Sequence, residues 1–230
     1  MNALMHRTLI FAAGVLLAGT AFGLDLGSLT NADASAGLKK ALDQGIDQAV
    51  TRLGVIGGFL DNPRVKIPLP PALAKAEKVM RMLGQGDKAD QLITSMNRAA
   101  EAAVPESKVL LKQALKKMTV ADAKQILTGG DDAATQYFKR VTATPLQAKF
   151  KPIVTRATEK VKLAQQYNQI ADKGVELGLL KSDDASIESY VTQKTLDSLY
   201  LMMADEEHAI RKDPLGQASS LLKKVFGAVR

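Results

Sequence analysis

Apolar residues recur at three- and four-residue steps along nearly the whole chain, and one stretch, NPRVKIPLPP at 62–71, breaks that rhythm with spaced prolines. The first pattern dictates amphipathic helix; the second forbids it. Leu38, Leu42, Ile46, Ala49 and Leu53 share one face, which predicts a helix over 34–56 ended by Gly57 and Gly58. Within the proline stretch Val65, Ile67 and Leu69 alternate with Lys66 and Pro68, the pattern of an extended arm. Pro68 and Pro70 lack the backbone donors that strand pairing needs, so the arm is expected to clamp across its own helices rather than extend a partner's sheet.

Pro71 suits the first position of the next helix, whose stripe is Leu73, Ala76, Val79, Met80 and Leu83, closed by Gly84. Asp87 is expected to cap a helix that Pro105 breaks or restarts, with Val109, Leu110, Ala114 and Leu115 inside the following segment. Thr119 and Asp122 have the spacing of an acidic capping box. Thr144-Pro145 is expected to open a long helix reaching Ile170, which Pro152 either kinks or truly starts. After GLLKSDDAS, another long helix carries Ile187, Tyr190, Val191, Leu199 and Met203 on one broad face, and Asp213-Pro214 ends it and starts the last. The fold class is therefore all-α: an irregular multi-helix bundle with one extended proline-rich arm.

The N-terminus bears the marks of export. Arg7 precedes the apolar run Leu9 to Ala18, and Ala21-Phe22-Gly23 places small residues where a signal peptidase reads them. Residues 1–23 are expected to be a signal peptide and 24–230 a single helical domain in the periplasm. Leu17-Ala18-Gly19 resembles the front of a lipoprotein signal, but Thr20 has no thiol to carry lipid. The chain holds no cysteine, so disulfides cannot brace it in an oxidising compartment and its core must suffice.

The net charge of +7 invites an acidic partner. Nucleic acid is disfavoured, because the lysines and arginines alternate with acids, Trp is absent and aromatic stacking platforms are few. The C-terminal LLKKVFGAVR pairs apolar and basic residues and admits peripheral contact with an anionic membrane, although a terminal helix packing its apolar stripe on the body is the first expectation. Asp205 and His208 have carboxylate-x-x-His spacing, but the other histidine, His6, leaves with the signal peptide, so no metal site is expected. A catalytic triad would have only His208, and no G-x-S-x-G elbow occurs. No catalytic residue and no cofactor are assigned.

In ILTGGDDAATQYFKR, 126–140, the glycines release one helix, and Asp131 or Asp132 is expected to cap the next. Phe138 is expected in the core and Tyr137 at its rim, with Arg140 nearby on the helix. A carboxylate there would repel phosphate, and the Lys-Ser/Thr ending of a P-loop is missing.

Taken together, VKIPLP, MNRAAEAAVPES, MTVADAKQILTGGDDAATQYFKRVT, SYVTQKTLDSLYLMMADEEHAIRKDP and LLKKVFG resemble the bacterial family catalogued as domain of unknown function 4197, over most of residues 35–227. The resemblance implies an all-helical envelope protein and carries over no catalytic residue. Its pattern includes polar residues that packing alone would not demand, falling here at Asn97, Arg98, Glu101, Thr119, Asp122, Thr135, Tyr137, Thr142, Tyr190, Glu207, Arg211 and Pro214. Eight of them, with Arg140 added, form the candidate set: Asn97, Arg98, Glu101, Thr135, Tyr137, Arg140, Tyr190, Glu207 and Arg211. A polar network joining helices is the first expectation and a ligand clamp the second. Exposed methionines would offer adaptable apolar surface. The expected function is non-enzymatic, binding an envelope protein partner or a lipid-like ligand through a helical groove. The alternatives are an enzyme using Glu101 with Glu207, which requires the two to converge, or a membrane-surface protein docking through its last helix.

Overall fold

The computed structural model describes residues 31–176 and 186–212. The signal-like segment, GLLKSDDAS apart from its final serine, and the last helix expected beyond Pro214 lie outside the described residues. The described chain is helical without a strand: α1 (Asn31–Leu53), α2 (Pro71–Met82), α3 (Gly86–Ala103), α4 (Ser107–Lys117), α5 (Val120–Thr128), α6 (Ala133–Thr158), α7 (Lys162–Glu176) and α8 (Ile187–Lys212). A 3-10 turn, Val104–Glu106, holds Pro105 between α3 and α4.

Helices α6 and α8 form the central pair. Helix α3 lies against both, α1 packs on α8 and on α4 and α5, and α7 touches α3 and α8. Phe138 and Phe150 of α6, Leu92 of α3, Ile46 of α1 and Ile187 of α8 are fully enclosed. The arm completes the core, with Val65, Ile67 and Leu69 buried while Lys66 and Pro68 face out. The alternation seen in the sequence is therefore an alternation of burial.

Local signals place several boundaries well. Thr119 and Asp122 form a reciprocal capping box at the start of α5. Pro71 occupies the first turn of α2, and Gly84, at a φ of 73°, ends that helix as the amide of Gln85 donates to the Met80 carbonyl. That left-handed conformation suits glycine.

Other boundaries differ from expectation. Helix α6 does not open at Thr144-Pro145; it begins at Ala133 and runs through both Pro145 and Pro152. Both prolines lie on the exposed side, as do Val141 and Ala148 four residues earlier, so carbonyls deprived of a donor are open to water. Leu146, Phe150 and Val154 meanwhile keep the helix anchored in the core. The same run breaks between Thr158 and Lys162, although Val154, Val161 and Ala164 stay buried across the break. Asp87 is not the cap of α3 but sits in its first turn, where its charge favours the positive end of the helix dipole. Helix α1 stops at Leu53 rather than 56, and the stripe assigned to α2 is not a core stripe: only Leu73 and Met80 of it are even half-buried. Helix α2 packs chiefly on α3, which is too little neighbouring surface to cover it.

Candidate functional site

The candidate residues fall into separate joints, each tying a side chain to backbone far away in sequence. In the first, Asn97 of α3 is fully buried beside the arm. Its Oδ1 accepts from the Ile67 amide at 2.8 Å and its Nδ2 donates to the Ile67 carbonyl at 2.9 Å. One side chain thus supplies both bonds that a neighbouring strand would have made. The Tyr190 hydroxyl donates to the next carbonyl, Pro68, at 3.2 Å. The Ile67 amide and carbonyl and the Pro68 carbonyl are satisfied within the chain, which leaves no basis for sheet augmentation at Ile67. Asn97→Ala should cost about 2–3 kcal/mol, because two buried backbone groups lose their partner. Amide exchange should accelerate at Ile67 first, and exchange there as slow as in the wild type would contradict this.

The second joint is Glu101, one turn further along α3. Its Oε1 accepts from the amides of Gly57, Phe59 and Leu60 at 3.1, 3.0 and 3.1 Å, and its Oε2 accepts from Arg98 at 2.6 Å. Gly57 has a φ of 88°, a left-handed conformation that a side chain would strain, and this turns the amides inward. The early end of α1 goes with this turn: residues 54–56, expected to continue the helix, instead lead into the segment whose amides face Glu101, and Val55 and Ile56 are exposed. Burial alone would push the Glu101 carboxyl up, yet Arg98 and the amides of Leu60 and Phe59 prevail and hold it below its ordinary value.

The third joint lies on α8. Glu207 is 4% exposed and accepts from the amides of Ala134 and Thr135 at 2.9 and 2.8 Å, and from the Thr135 hydroxyl at 2.9 Å. Arg211 donates to Glu207 at 2.7 Å and to the Ile126 carbonyl, at the end of α5, at 2.9 Å. One ion pair thus closes the C-terminus of α5 and the N-terminus of α6 together. Asp131 and Asp132 do not cap α6: Asp132 makes no capping bond and instead accepts from Gln136. The buried carboxylate of Glu207 takes those amides first.

Glu101 and Glu207 therefore serve different backbone segments and do not converge as an acid/base pair. Asp205 is held by both guanidinium nitrogens of Arg64, one at 3.1 Å, and His208 is exposed; among the described residues no group of three His, Cys, Asp or Glu gathers as a ligand set. Met96, Met202 and Met203 are buried rather than adaptable surface, leaving Met82 exposed.

Tyr137 and Arg140 are arranged differently. Both Tyr137 and Phe138 are buried, so Tyr137 is no rim residue, and its hydroxyl donates to the Ala114 carbonyl at 3.1 Å. Burial pushes that hydroxyl's pKa up, aided by Asp122. Arg140 is exposed and its guanidinium lies 5.5 Å from the centre of the Tyr137 ring, a cation–π distance. A cavity of about 240 Å³ lies on one side of this tyrosine, bounded by Leu110, Lys117, Val141 and Pro145. A second, of about 190 Å³, lies on the other, bounded by Asp122, Gln125, Gln136 and Arg140.

A family model described as Protein of unknown function (DUF4197) matches residues 28–227. The chain belongs to that family. Neither the comparison with curated proteins nor that with solved structures finds a match.

Sequence reasoning missed further joints in this family member. Asn168 of α7 accepts from the Ile187 amide at 2.8 Å and donates to Glu188 at 2.9 Å, closing the start of α8 from another helix. Arg52 reaches the buried Glu206 at 2.7 Å, and Lys112 bridges Asp43 and Asp47. The Thr142 hydroxyl donates to the Phe138 carbonyl and so accepts from Tyr200. Only the Thr142 bond, spanning four residues, has a local signature; the others depend on how helices cross.

Proposed function

We propose that the chain is a non-enzymatic helical binding protein of the bacterial envelope, and that its ligand is an amphipathic anion held along the Tyr137–Arg140 ridge. The observation that carries this reading is Arg140. It is an exposed cation steadied over an aromatic ring and, among the described residues, it forms no salt bridge. Lys117 adds a second cation at the neighbouring cavity, while Leu110, Val141 and Pro145 offer apolar wall. A carboxylate or similar head group would meet Arg140 through charge-assisted hydrogen bonds, and the hydrocarbon would lie against that wall. The other polar residues are committed to the fold. Glu101, held as an anion by four donors, is poorly suited to give up a proton, which speaks against general acid chemistry.

The envelope assignment rests on the signal-like N-terminus and is part of the proposal. Recovered from native envelope, the mature chain should begin at Leu24 and carry lipid-like material detectable by mass spectrometry. Titration of the purified protein with decanoate should give saturable binding that Arg140→Ala weakens at least tenfold, with stability unchanged to within about 0.5 kcal/mol. Equal decanoate binding by Arg140→Ala would overturn the site, and intact Met1 in the envelope fraction would overturn the export reading.

A further inference from the structure

Helix α2 is apolar over a wider arc than the protein covers. Leu73, Glu77 and Met80 are half-buried and form the stripe that faces the body. About a quarter turn away, Ala72, Ala76, Val79 and Leu83 form a second stripe at the same helical spacing, and all four are exposed. Val79 is 55% exposed, Leu83 69% and the neighbouring Met82 78%. No residue of this helix is buried. On the side of the stripe away from α3 stand Lys75 and Lys78, also exposed. The third cation, Arg81, is spoken for: it pairs with Glu77 at 2.8 Å and with Asp90 at 2.6 Å. Among the described residues Lys75 and Lys78 form no ion pair.

We propose that this outer face of α2 docks on an anionic phospholipid surface, with Val79, Met82 and Leu83 entering the headgroup boundary and Lys75 and Lys78 meeting lipid phosphates. Charge selects this occupant over a second copy of the chain. A two-fold dimer would set the same patch against itself and bring Lys75 and Lys78 near their own counterparts. An anionic membrane answers the apolar stripe and the ammonium groups together. The site is separate from the Tyr137–Arg140 ridge and does not depend on that reading.

Co-sedimentation of the purified chain with vesicles tests it. Vesicles of equal parts phosphatidylglycerol and phosphatidylcholine should bind the protein, pure phosphatidylcholine should not, and high salt should release it. The triple variant Val79→Ser/Met82→Ser/Leu83→Ser and the pair Lys75→Glu/Lys78→Glu should each bind at least tenfold more weakly, with melting temperatures unchanged because these side chains are exposed. Since the chain has no Trp, Leu83→Trp supplies a single reporter whose fluorescence should shift to the blue on the anionic vesicles. Wild-type binding to anionic vesicles by both multiple variants would overturn the proposal and place the contact elsewhere. Absence of vesicle binding by the wild type would overturn it as well, and concentration-dependent dimerisation abolished by the serine variant would then assign the face to a second copy.

Discussion

Glu101→Ala should unfold with a loss of about 3–5 kcal/mol, because three inward amides lose their acceptor at about 1–3 kcal/mol each, less what water recovers. The substitution strands the amides of Gly57, Phe59 and Leu60 together and leaves Arg98 without its carboxylate. Urea unfolding should show a lower midpoint with an unchanged slope, since the folded surface is otherwise the same. The effect should also depend on pH in one direction. The folded Glu101 carboxyl lies below its ordinary value of 4.5, so its contribution is complete above that value and is lost as pH falls through the folded pKa. Wild type should therefore lose stability more steeply than Glu101→Gln below about pH 4.5. Parallel acid-unfolding curves for the two would show that the carboxylate's charge is irrelevant to the loop it holds.

The α8 joint should be comparably costly to break. Glu207→Ala should lose about 3–5 kcal/mol, because it uncaps α6 and leaves the half-buried Arg211 unpaired in one step. Arg211→Ala should lose less, about 1.5–3 kcal/mol, the range for hydrogen bonds to a charged group. In that variant Glu207 still accepts from Ala134 and Thr135. The double variant Glu207→Ala/Arg211→Ala should be less destabilised than the two single changes summed, since both act on one network. Arg211→Ala melting with the wild type would remove Arg211 from the fold and free it for a ligand.

The two joints also show where sequence reasoning stops. Asn97 and Glu101 are one turn apart on α3 and invite reading as a single polar network with Arg211. In the folded chain Asn97 holds the arm, Glu101 holds the loop after α1, and Arg211 holds the end of α5. Their spacing announced a common helix face, but not what crosses it. The capping box at Thr119 was readable because donor and acceptor are three residues apart. The cap of α6 was assigned to the nearby aspartates on the same local logic, and failed because the carboxylate that accepts from its first amides, Glu207, lies 73 residues away.

Local periodicity and proline placement are enough to determine that this chain is helical, that the proline-rich stretch at 62–71 is not, and which faces of α1 and α8 turn inward, because each depends on neighbours within a few residues; within that stretch 63–65 make a turn and 66–70 run extended. Tertiary structure alone decided where α1 stops, why α6 survives two prolines, and that the second stripe of α2 is left bare. Those outcomes turn on whether another helix arrives to satisfy a buried amide or to cover an apolar arc. Glu101 reaches 44 residues back to Gly57 and Arg211 reaches 85 back to Ile126, distances over which a helical pattern carries no register; only the packed core brings the two ends together.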